Sequence, residues 1–213
     1  MLERITRREE FELFIAWIAL SFAFGIYFIR VSGISDFSKI IIIFGISLVT
    51  AGVGFVAHEM AHKFSAIKYG YWAEFKKNDV MLLISVVLAA LAVGVFAAPG
   101  ATVIYSNSRS GQGLTRSENG IISASGPFVN LLLCVPFAIL IHLTNGGTQS
   151  FNEYFMLIGV LGLQVNAMFA VFNMLPISIL DGKKVWDWNK LIFIVLIGAA
   201  IGALILSFYP RLL

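Results

Sequence analysis

The chain has 213 residues, 59% of them hydrophobic and 13% charged, with a formal net charge of +3 and a mean hydropathy of +0.88. So few charges cannot wet the surface of a soluble domain, whereas a lipid-facing surface needs none, so the composition excludes a soluble globular enzyme and indicates a membrane protein. A single cysteine, Cys134, excludes an intrachain disulfide, and the basic residues lie scattered between apolar runs, which excludes a nucleic-acid-binding patch and points to membrane orientation instead.

Six apolar runs follow one another, over about residues 11–29, 40–57, 80–98, 121–143, 154–175 and 191–209. Each approaches the ~20 residues needed to cross a hydrocarbon core of ~30 Å. The first follows a polar, arginine-containing N-terminus and lacks a small-residue cleavage site behind it, so it reads as a first membrane helix rather than a removed signal peptide.

The second run continues into His58-Glu59-Met60-Ala61-His62 and ends at a helix stop, Gly70. Histidines four residues apart project from one helix face and can hold one zinc ion together, with Glu59 beside them to take a proton from activated water. Three ionisable groups within five residues are costly at the end of a membrane helix and demand a compensating function. The stretch from 69 to 79 combines Tyr71, Trp72 and Phe75 with Lys76 and Lys77 and reads as an interface anchor.

The third run is predicted to be helical over 80–96. It is then broken by Pro99-Gly100 and followed by a β-branched stretch, Ala101-Thr102-Val103-Ile104-Tyr105, that favours an extended strand. The helix either crosses the membrane or enters and returns as extended chain. Six simple spans with the N-terminus inside divide the 15 Lys and Arg almost evenly, eight inside and seven outside. A re-entrant third run puts twelve inside and leaves only Arg30, Lys39 and Arg211 outside. Basic residues concentrate on the cytoplasmic side, so the re-entrant topology is favoured, with five full spans and a cytoplasmic N-terminus.

The fourth run carries Gly126-Pro127-Phe128-Val129-Asn130, along with Cys134, which reads as a small buried hydrophobe, and His142, which reads as an interfacial residue. The fifth ends in Asn173-Met174-Leu175-Pro176-Ile177-Ser178-Ile179-Leu180-Asp181-Gly182. A catalytic zinc usually takes three protein ligands. Asp181 can supply the third, although on spacing alone a solvated aspartate beside Lys183 and Lys184 is an equal reading. Topology breaks the tie, because the re-entrant third run places His62 and Asp181 on one side of the membrane and six simple spans place them on opposite sides.

These three motifs, spanning His58 to Gly182, make the chain resemble the site-2 proteases, membrane-embedded zinc metalloproteases that perform regulated intramembrane proteolysis. The resemblance implies zinc held by His58, His62 and Asp181, Glu59 as general base, and Asn130 and Asn173 lining the site, where either could donate to the oxyanion. For Asn130 a helix-to-helix hydrogen bond is the alternative. It also implies an extended segment near the zinc, which matches the strand at 101–105; that strand either offers an edge to an unwound substrate or only plugs the cavity.

The expected architecture is an all-α polytopic membrane protein of about six membrane helices, one re-entrant, with a short strand near the active site. A single domain over 1–213 is expected, its catalytic core at about 40–182, embedded in the lipid bilayer of the cell membrane with the active site opening to the cytoplasm. The expected partner is a single-span membrane-protein substrate. A catalytically silent scaffold that keeps the fold is the competing reading, against which the intact His58, Glu59, His62 and Asp181 argue. A prenyl-protein protease is weakened because no glutamate follows Glu153 to act as third ligand.

Overall fold

The structure is a computed structural model and describes residues 5–95, 100–105, 113–144, 150–177 and 179–212. Residues 97–99 of the helix breaker and most of the two polar loops lie outside these. The chain forms two compact units, Met1–Leu114 and Thr115–Leu213.

The first unit begins with α1 (Arg7–Ser32), capped by the Thr6 side chain on the Glu9 N–H and closed by Gly33 in the left-handed region. The second helix, α2 (Phe37–Lys68), is one 32-residue rod. It is interrupted by a π-helical turn over Leu48–Gly52, six residues before His58. That turn widens the backbone, and the Leu48 carbonyl accepts the Trp17 indole N–H at 2.9 Å. The indole lies so close that a Cβ on Gly52 would come within 1.7 Å of it, so glycine is required there by contact. Lower on the same pair, Phe22 and Phe44 stack at 4.8 Å between ring centroids. The predicted stop at Gly70 is present, with φ +86°.

Beyond that stop the chain runs as β1 (Trp72–Lys77), α3 (Asp79–Ala90) and β2 (Gly100–Tyr105), the strands pairing antiparallel with Phe75 opposite Thr102. The stretch read as an interface anchor forms a strand, in which Ala73 and Phe75 are buried while Trp72 and Lys76 are exposed. One expectation is corrected. The helix expected over 80–96 stops at Ala90, ended by Ala92 at φ +56° and Gly94 at φ +149°. Arg30 donates to the Ala90 carbonyl and satisfies part of that end. Twelve residues rise only about 18 Å, too short to span.

The second unit contains α4 (Arg116–Thr144), α5 (Ser150–Asn173), α6 (Asp181–Trp188) and α7 (Lys190–Phe208). Against lipid there is no hydrophobic drive for helices to pair, so close backbone approach carries the packing. Gly162 and Gly159 of α5 supply it, since Cβ atoms there would meet the Phe137 ring at 2.3 Å and Ile141 at 2.8 Å. Cys134, Ile141, Leu163 and Ala167 form the resulting core, so Cys134 is the buried hydrophobe it was expected to be. Five helices among the described residues are long and apolar enough to cross a membrane, with α3 as an additional short apolar helix. The architecture is therefore an all-α polytopic membrane fold with a small two-stranded sheet.

Candidate metal centre

Four residues of helix bring His58 and His62 to one face of α2. Their Nε2 atoms stand 3.0 Å apart, with the rings nearly perpendicular at 85° and both side chains buried. Two buried imidazole nitrogens turned onto one point are the donor arrangement a metal ion requires, so this pair fits zinc. Glu59 is buried beside them. Its Oε2 accepts a hydrogen bond of 2.8 Å from the Thr102 hydroxyl, which also lies 3.2 Å from the Glu59 carbonyl oxygen. Thr102 belongs to β2, so the small sheet reaches the histidine-bearing helix directly.

The sheet is held on its other side by α1. The Phe75 N–H donates to Glu9 at 3.0 Å and the Lys77 N–H to Glu12 at 3.0 Å. These amides point away from β2, so carboxylates occupy the outer edge of β1. Glu9 also pairs with Lys63, the residue after His62, and both side chains are completely buried. The Lys63 ammonium sits 5.7 Å from the Trp72 ring centroid. On the outward face, Lys76 lies over the Tyr105 ring at 5.4 Å, and its hydrogen bond and charge interaction with the Tyr105 phenol raise the lysine pKa above its usual value. Sequence reasoning missed Thr102, Glu9 and Lys63, whose partners lie 43 to 54 residues away along the chain. One signal was available for Lys63: a cation within the same membrane helix as the histidine pair.

In the second unit, Asp181 is the first residue of α6, where a carboxylate is favoured by the helix dipole. It is almost entirely buried, with Lys184 at 3.6 Å. Gly182 lets this turn close against the end of α5, for a Cβ there would meet the Met174 carbonyl oxygen at 2.2 Å. Asn130 is fully buried and donates to Asn166 at 3.1 Å, which in turn donates to the Gly162 carbonyl at 2.9 Å. This is a hydrogen-bonded link from α4 to α5. Asn173 is half-buried in the last turn of α5, and its amide donates to the Phe169 carbonyl at 3.0 Å. His142 is exposed near the end of α4.

These features define a polytopic membrane protein with a metal-competent His-Glu-x-x-His turn buried on a spanning helix. The chain is 36% identical over 192 residues to "Putative zinc metalloprotease MJ0611" of Methanocaldococcus jannaschii, an alignment that covers 90% of each chain. It belongs to the family of that protein. No protein-family model matches the chain, and no solved structure matches it.

Proposed function

We propose that the protein is an intramembrane zinc metalloprotease of the site-2 protease type, cutting peptide bonds in or near transmembrane segments of membrane-protein substrates. The observation that carries the reading is the pair of buried Nε2 atoms 3.0 Å apart with Glu59 between them in sequence, on a helix long and apolar enough to span. The relative's name supports zinc and proteolysis for this chain.

His58 and His62 would hold the metal, and Asp181 would be the third ligand, since a catalytic zinc commonly takes two imidazoles and one carboxylate and keeps one position for water or substrate. When bound there, zinc supplies Lewis acidity to the scissile carbonyl and lowers the pKa of water to ~7. Glu59 takes a proton from the attacking water and passes it to the leaving amine nitrogen. Asn173 or Asn130 donates to the oxyanion that develops on the carbonyl. Asn173 is half-buried and Asn130 is fully buried against Asn166, which favours Asn173 for this role.

A bond inside a helix is not reachable, so the substrate must unwind first. The outer edge of β1 is taken by Glu9 and Glu12, which leaves the outer edge of β2 to receive an extended segment by strand addition. The re-entrant topology opens this region to the cytoplasm.

The ligand assignment is checked by the zinc content of the purified protein. His62→Ala is expected to abolish stoichiometric zinc, and Asp181→Ala to weaken binding steeply while leaving the protein helical. Full zinc retention by Asp181→Ala would remove Asp181 from the ligand set.

A further inference from the structure

We propose that Thr102 is a positioning residue for Glu59: its hydroxyl fixes one oxygen of the base and couples the strand that receives substrate to the group that moves the proton. The inference rests on the protease reading above. Of the β2 residues on the face turned toward α2, Gly100, Thr102 and Ile104, only Thr102 has a polar side chain. It stands at a framed position. Phe75 lies opposite it in the ladder and packs edge-on against Phe55 of α2 at 5.6 Å. The β1 strand is in turn held by Glu9 and Glu12 of α1.

A β-branched side chain on a strand has a restricted χ1, so the hydroxyl is presented in one direction. It donates to Glu59 Oε2 at 2.8 Å. With one oxygen engaged, rotation of the carboxylate is arrested, and the other oxygen is left to handle the proton. A substrate segment added at the edge of β2 away from β1 bonds to the same strand that carries this hydroxyl. Substrate register and base orientation are therefore set by one element. Catalytic groups must be held to within a fraction of an ångström, and a strand does this better than a loop.

The test uses purified, zinc-loaded full-length protein in detergent and a quenched fluorescent peptide containing one apolar segment of about 20 residues. Thr102→Val keeps the shape and strand preference and removes only the hydroxyl. Its kcat is expected to fall on the order of ten- to a hundredfold, the usual effect of losing a partner that orients a catalytic group. KM and zinc stoichiometry should stay at wild-type values, and Thr102→Ser should restore kcat. A wild-type kcat in Thr102→Val overturns the proposal, as does a Thr102→Ser variant as slow as the valine or a parallel loss of zinc. Should the valine variant fail to give a monodisperse protein, Thr102→Ser and Thr102→Ala decide. Both lack the methyl group, so a fast serine and a slow alanine support the proposal and equal rates overturn it. A zinc-loaded wild type that never cleaves overturns the protease reading and the proposal with it, whereas an active wild type with an unaffected valine variant overturns the positioning role alone.

Discussion

Lys63 follows the second histidine directly and carries its charge into a place with no solvent exposure, where Glu9 meets it. Two ions taken out of water lose several kcal/mol of hydration each, and the pair holds only because each satisfies the other, with Glu9 also accepting the Phe75 amide. Removing one partner strands the other. Lys63→Met is therefore expected to destabilise the protein by about 3–5 kcal/mol, and the double variant Lys63→Met with Glu9→Gln to recover most of that loss. Thermal unfolding in detergent checks both, and a single variant as stable as wild type would show that the pair contributes nothing. At this scale, legibility depended on sequence distance. The His58–His62 spacing declares its own geometry, because one helical turn fixes it. Glu9 and Lys63 are 54 positions apart, and Thr102 and Glu59 are 43 apart. Nothing local in either pair signals its partner. Asn130 was visible as a polar residue in an apolar run, but whether it faces a substrate or a neighbouring helix depended on Asn166, four residues from Gly162 on another helix.

Among the elements, α3 and β2 bear most on the expected topology. Hydropathy marks a run long enough to span, and it cannot see that Ala92 and Gly94 turn the chain out of the helix at Ala90. The charge distribution did favour a re-entrant segment, because basic residues on both flanks resist translocation. The short helix agrees with that choice. A cysteine placed at Leu114, in a background with Cys134→Ala, is expected to react with a membrane-impermeant maleimide only from the cytoplasmic face. Labelling from the outside would contradict the re-entrant topology. The strand at 100–105 was legible from its β-branched run, whereas its partner was masked by the aromatic and basic residues that made it resemble an interface anchor. The π turn at Leu48–Gly52 left no trace in the apolar pattern. It arises from tertiary contact, the Trp17 indole lying against a glycine, and a one-residue offset in that pattern is invisible when every residue around it is apolar.

For the whole molecule, composition already fixed the solvent. With so few charges, the long helices must face lipid, and five of them among the described residues can cross it. The kinship with an archaeal protein named as a zinc metalloprotease extends over 90% of both chains, so it embraces the membrane helices as well as the motif. On the proposed function, Glu59 is the base of a metal-dependent peptide hydrolysis. The most direct measurement compares wild-type protein with Glu59→Gln, both zinc-loaded in detergent, on a single-span substrate. The glutamine keeps the size and hydrogen-bonding capacity of the side chain and cannot accept the proton, so cleavage should fall by about 10²–10⁴-fold or more, the range general-base catalysis supplies, with zinc content unchanged. Equal cleavage by the two proteins would rule out Glu59 as the base, and a zinc-replete wild type that cuts nothing would rule out the protease.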